Sequence, residues 1–76
     1  SLKNMSKKEI VVANFFNENL ERLPLLTSDE ISSILKISKA TIVRTAQKAG
    51  YQGFLHFRRE INEYLYKDLT SNEKII

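Results

Sequence analysis

The chain is 76 residues long, enough for one domain whose core is adequate only if most of its apolar residues serve it. At 42% hydrophobic, 28% charged and a net charge of +3, its composition is that of an ordinary globular domain and excludes a disordered or fibrous chain. Cysteine is absent, which removes disulfides, thiolate nucleophiles and cysteine metal sites together and suits a cytoplasmic location, and no apolar run approaches the roughly 20 residues that span a bilayer.

Residues 1–5 read as an N-terminal extension, with Ser1 and Leu2 candidates for a cloning remnant; SLKNMSKKE lacks the apolar stretch of a secretion signal. Ser6 and Glu9 have the spacing of a capping box, and Val12, Ala13, Phe15 and Phe16 put an apolar stripe on a helix predicted over 7–17. Pro24 among leucines denies a long helix over 19–26 and predicts a short helical turn burying Leu20, Leu23 and Leu26. Thr27 and Glu30 repeat the capping-box spacing before a helix that ends near Lys36, with Ile31, Ile34 and Leu35 as its buried face.

Ser38 caps the next helix. Its inner face is expected to hold Ile42, Ala46 and Ala49, with Val43 at the margin, and Gly50 stands where a left-handed residue closes a helix. Phe54, Phe57, Ile61, Tyr64, Leu65 and Leu69 then resume helical spacing, predicting a last helix over 54–67. The polar TSNEK beginning at Thr70 reads as linker, and Ile75 and Ile76 follow it with no evident partner. The domain is thus expected over 6–69 and a linker over 70–76. The fold class is all-α, a compact bundle of about five helices containing a helix-turn-helix.

Charge singles out the two middle helices. From Ile31 through Arg59 there is no acidic residue, yet six of the twelve basic ones lie there: Lys36, Lys39, Arg44, Lys48, Arg58 and Arg59. A positive field on one helical unit predicts a polyanion as partner. The turn Lys36-Ile37-Ser38 has the three residues a helix-turn-helix needs, and Ser32 is small enough for the helix crossing. Lys39, Ala40, Thr41, Arg44, Gln47 and Lys48 are expected to face away from Ile42 and Ala46, as small or polar residues must in a major groove. Arg44 is the expected base reader: a guanidinium pairs with guanine O6 and N7, worth roughly 1–3 kcal/mol of discrimination. Lys36 and Lys48 are expected on phosphates, and Ser38 is first a cap whose hydroxyl can also sit beside phosphate.

Blander readings stand beside these. Short amphipathic helix pairs also occur in bundles that bind no nucleic acid, so a helical protein-interaction module of another regulator is the alternative. His56, the one histidine, reads as a surface or packing residue with no nearby acid, and Tyr51, Phe54, Phe57 and Tyr64 as core. No catalytic constellation, metal site or cofactor loop can be assembled, so an enzyme is not expected.

Three segments, VVANFFNEN (11–19), SDEIS (28–32) and above all ISKATIVRTAQKAGYQGF (37–54), resemble the N-terminal helix-turn-helix domain of RpiR-type transcriptional regulators. The resemblance covers roughly 5–67. Its specific parts are the Ser-x-Ala-Thr-Ile-Val-Arg core at 38–44 and the Gly-Tyr-x-Gly-Phe loop at 50–54. It implies a bacterial, cytoplasmic regulator of sugar metabolism that binds double-stranded DNA, a palindromic operator, as a homodimer. It also implies a C-terminal sugar isomerase-type domain, outside these 76 residues, that senses a phosphosugar. The chain departs from the family pattern at Lys36, where glycine is usual and a left-handed backbone would cost roughly 1 kcal/mol. Lys39 stands where an acid is common. Thr45 and Ala49 replace larger apolar residues, which predicts looser packing or a gap filled by Leu55 and its neighbours.

Overall fold

Side-chain hydrogen bonds start three of the four helices where the capping residues stand. In the computed structural model, which describes residues 4–73 and the side chains of residues 4–67, the first helix, α1, is Lys7–Glu18. The Ser6 hydroxyl accepts from the Glu9 amide (3.2 Å) while the Glu9 carboxylate accepts from the Ser6 amide (2.8 Å), a complete capping box. The helix ends at Asn19, whose side-chain amide donates to the Phe15 carbonyl (2.9 Å). A 3₁₀ turn, Leu23–Leu25, follows with Pro24 inside it; Leu23 is fully buried, Leu20 and Leu26 half-buried.

Helix α2, Ser28–Leu35, opens on the second capping box, in which Thr27 accepts from the Glu30 amide (3.1 Å) and Glu30 from the Thr27 amide (2.8 Å). Eight residues bury only a narrow stripe. The i, i+4 pair Ile31 and Leu35 fills it, which leaves Ile34, expected inside, 49% exposed. The backbone then turns at Lys36 with φ 57° and ψ 42°, a left-handed conformation that the sequence alone left open. The Ile37 amide donates back to the Ser32 carbonyl (3.2 Å), and the Ser32 hydroxyl donates to the Ile37 carbonyl (2.6 Å), so the small residue at the crossing also ties the turn shut.

Helix α3, Lys39–Lys48, begins at Ser38 and buries Thr41, Ile42, Thr45 and Ala46. Ala49, expected on this inner face, is exposed just past the helix end. Gly50 closes the helix at φ 108°: the Tyr51 amide reaches the Ala46 carbonyl (3.1 Å) and the Gly50 amide that of Gln47 (3.0 Å), the paired bonds of a Schellman motif.

Helix α4, Phe54–Glu73, runs well past the predicted stop at 67, so residues 70–73, read as linker, are helical. The rest of that segment lies outside the described residues, as does the side chain of Leu69. Phe54 and Phe57 are buried against Phe16 of α1, with the Phe16 and Phe57 ring centroids 4.6 Å apart, and Tyr51 packs edge-on to Phe57 at 5.0 Å. Removing any one of these phenylalanine rings would cost roughly 3–5 kcal/mol. Tyr64, expected inside, is 63% exposed, and Leu55, one of two alternatives for a gap beside the preceding helix, is 59% exposed. The stripe of α4 that meets the core is Phe54, Phe57 and Ile61, and Tyr64 and Leu55 fall outside it.

The described residues thus form an all-α fold of four helices and one 3₁₀ turn around a single core. Its most extensive packing joins α1 to α3, with α2 crossing α3 beside it. That arrangement leaves one long side of α3 facing outward.

Candidate nucleic-acid interface

The outward side of α3 carries Lys39, Ala40, Arg44 and Gln47, all exposed. Lys36 and Ser38 lie exposed in the turn that leads into it. Ser38 is the N-cap: its hydroxyl accepts from the Thr41 amide (3.3 Å) and lies 2.9 Å from the Thr41 hydroxyl. Gln47 donates to the Gln52 carbonyl (3.2 Å), which fixes the loop after α3 against its outer face.

Two of the residues expected on this surface sit elsewhere. Thr41 is buried, at 8% exposure, because α1 covers the flank of α3 and makes its inner face wider than the Ile42–Ala46 line alone. The same packing takes in Thr45, whose hydroxyl donates to the Thr41 carbonyl (2.8 Å). Thr45 fills its place at 1% exposure without help from exposed Leu55. Lys48 points toward α1, where its ammonium donates to the Glu9 carboxylate (2.8 Å) and to the Asn4 carbonyl.

Glu9 is the residue that the sequence reading did not place in the site. Its side chain is 4% exposed, and its two oxygens are shared among three donors. One accepts from the Ser6 amide and from Lys48 (both 2.8 Å), the other from the Arg44 Nε (3.0 Å). The Lys48 hydrogen bond, then the Ser6 amide, then Arg44 together outweigh the burial that opposes ionisation and hold the carboxyl at about 2, well below the usual carboxylate range. A signal for this existed. Glu9, Val12 and Phe16 are the buried residues of α1 and stand at i, i+3 and i+7, so Glu9 lies on the apolar stripe, where a carboxylate must find partners.

The acid-free stretch is therefore not free of acids in space. Arg44 and Lys48 meet Glu9, and Lys39 lies 3.4 Å from Asp29 at the start of α2. Among the described residues Lys36 and Arg59 make no ion pair, and Arg58 donates to the Leu26 carbonyl (2.8 Å). Their strengths differ. The Lys39–Asp29 pair has both side chains more than half exposed, so water and salt screen it and a phosphate can displace it cheaply. The Glu9 pairs are anchored on a buried carboxylate. Arg44 is nevertheless 53% exposed: its Nε edge turns inward to Glu9, and its Nη2 donates to the Thr41 hydroxyl (3.4 Å).

His56 has an acid near it after all, with Glu60 3.8 Å away one helical turn on, and its Nδ1 accepts from the Gln52 amide (2.9 Å) at the start of α4. It is a packing and capping residue. Among the described residues no group of histidine, cysteine, aspartate or glutamate could hold a metal ion, and no helix is long and apolar enough to cross a membrane.

The chain belongs to the helix-turn-helix domains of the RpiR family, whose sequence model matches residues 1–68. It is accordingly a DNA-binding module of a transcription regulator, a family of binding domains and not of enzymes. No solved structure matches the chain.

Proposed function

We propose that this domain recognises a specific duplex DNA site by inserting α3 into the major groove, as the operator-reading module of a bacterial, cytoplasmic regulator of sugar metabolism. The observation that carries the reading is the outer face of α3. It offers two cations, a small residue and an amide, Lys39, Arg44, Ala40 and Gln47, on a helix whose opposite face is locked into the core. Small residues near the start of the helix let it approach base edges closely, while amide and guanidinium groups supply the paired donors and acceptors that distinguish bases.

In this arrangement Arg44 reads a base with its terminal nitrogens, Gln47 and Lys39 lie near base edges, and Ala40 makes room for the groove floor. Lys36 approaches a phosphate, and Ser38 presents the N-terminus of α3 to the backbone. Thr41 supports the face from beneath, and Lys48 belongs to its flank. By analogy with the family, the full-length regulator acts as a homodimer on a palindromic operator. A phosphosugar bound by a sugar isomerase-type domain adjusts its affinity.

Titration of labelled duplexes at two salt concentrations tests the reading. Affinity should fall steeply with salt, with a logarithmic slope near −0.9 for each phosphate neutralised. On an operator selected from random duplexes, Arg44→Ala should cost roughly 1–3 kcal/mol and much less on random DNA. Association that ignores salt, or none at low salt, refutes DNA binding; equal losses on both duplexes would make Arg44 a phosphate contact.

A further inference from the structure

A base reader on a flexible side chain discriminates well only if the side chain is held in the pose that reads. Arginine has many rotamers, and ordering it on binding subtracts from the affinity that its contacts supply. In this domain the ordering is already present in the free protein: Thr41 on α3 accepts from the Arg44 Nη2 at 3.4 Å, and the charged anchor lies on another helix. Glu9, on α1 and 35 residues away in sequence, holds the Nε of Arg44 at 3.0 Å from beneath. The carboxylate is itself held: it is 4% exposed and accepts from the Ser6 amide and from Lys48, both at 2.8 Å.

The two cations on Glu9 are not equivalent. Lys48 is 34% exposed and spends its ammonium on Glu9 and the Asn4 carbonyl, so moving it toward DNA would strip a buried carboxylate of its closest charge partner. Arg44 is 53% exposed and meets Glu9 through one nitrogen only. A guanidinium has five donors in a rigid plane, so it can keep its Nε on a carboxylate while its outer nitrogens pair with a base.

We infer that Glu9 is a positioning residue for sequence recognition: it aims the Arg44 guanidinium out of α3 and keeps Lys48 away from the phosphates. This rests on α3 being the recognition helix. The consequence runs against simple electrostatics, because a carboxylate beside the interface improves discrimination although it opposes the attraction to DNA.

The variant Glu9→Gln separates the two effects. An amide still fits the cavity and can accept from Ser6, but it no longer fixes the guanidinium or neutralises Lys48. On the selected operator the cognate-to-random affinity ratio should fall about tenfold, within the range that one bidentate base contact supplies. Binding to random duplex should hold or strengthen, and the salt slope should steepen by about one unit as Lys48 becomes available. In an Arg44→Ala background the same substitution should leave the ratio unchanged, since Glu9 acts through Arg44. In the free protein the Arg44 Nε–H resonance should lose its exchange protection on Glu9→Gln.

A merely structural Glu9 predicts something else: cognate and random binding falling together, with an unchanged slope and ratio. That result overturns the inference, as does a drop in ratio of the same size with Arg44 already removed. Should Glu9→Gln not fold, Glu9→Asp decides, because it keeps the charge but retracts the carboxylate; the ratio should fall with no change in slope, and an intact ratio overturns the idea. If Arg44→Ala by itself leaves the ratio intact while the wild-type chain binds DNA with normal salt dependence, the inference fails and the proposed function survives. Absence of any DNA binding by the wild-type chain refutes the proposed function, whatever the resonance shows.

Discussion

Replacing Lys36 by glycine should stabilise the domain, and the structure supplies the terms. Lys36 sits at φ 57° and ψ 42°, and it is the one non-glycine residue with positive φ among the described residues. A side chain in that conformation brings Cβ against the following carbonyl at a cost of roughly 1–2 kcal/mol, which glycine does not incur. Against this, glycine has more freedom to lose on folding, roughly 0.5–1 kcal/mol relative to alanine. The lysine side chain is exposed and makes no ion pair among the described residues, so little packing is forfeited. The net gain is about 0.5–1 kcal/mol, a rise of a few degrees in Tm for a domain of this size. Thermal melting of Lys36→Gly, with Lys36→Ala as control, isolates the backbone contribution: alanine keeps the Cβ and should melt close to wild type, whereas glycine should melt higher than both. Glycine melting at or below alanine would refute the strain argument. DNA affinity of both variants should drop slightly through the lost charge, which separates the turn's mechanical role from its electrostatic one.

Gly50 is the mirror case. At φ 108° any side chain is strained even though a Cβ would meet no atom within 4 Å, so Gly50→Ala should destabilise by roughly 1 kcal/mol without a clash, measurable by denaturant titration. Acid should weaken the α1–α3 junction. The folded Glu9 carboxyl titrates at about 2 against 4.5 for the ordinary group, so its contribution is fully present above 4.5 and is lost as pH falls toward 2. Melting temperatures of wild type and Glu9→Gln should therefore converge over that window; a gap that persists unchanged at pH 2 would contradict the assignment. Thr45→Val should unfold close to wild type, because it removes a buried donor whose partner, the Thr41 carbonyl, remains in the helical ladder, and a large loss would show that the 2.8 Å bond is essential.

Elements governed by neighbours in sequence were legible in advance. Both capping boxes, the helical turn at Pro24 and the three-residue turn after α2 follow from spacings of five residues or fewer, whereas the backbone of Lys36 was open until the structure placed it at φ 57°. Errors appeared where a third element decided the outcome. Ile34 and Tyr64 have the right spacing for burial, but α2 and α4 each meet the core along a stripe narrower than their apolar residues could cover. Thr41 lies inside only because α1 packs on that flank of α3, and no periodicity within α3 reports that. The end of α4 was read from the polar TSNEK, yet polar residues end a helix only where a breaker or a cap stops it, and neither glycine nor proline follows Phe54.

Chain and space differ most in the placement of charge. A run of residues without acids is a statement about the chain, whereas a field is a property of space, and Coulomb attraction depends on separation and surroundings, not on position in sequence. Glu9 is separated from Arg44 by 35 positions and from Lys48 by 39, yet it touches both. Counting cations in 36–48 therefore overstates the charge available to DNA. Lys48 is committed to the interior, Arg44 is shared, Lys39 is held by a screened surface pair, and Lys36 meets no acid among the described residues. In the proposed binding mode, attraction to phosphate is thereby weighted toward the turn and the N-terminus of α3, while the middle of the helix is left to a single oriented guanidinium. For a module that must reject the great excess of non-cognate DNA, this is the favourable allocation: cations free to meet any phosphate strengthen all sites alike, whereas one held in a reading pose strengthens only the site that fits it.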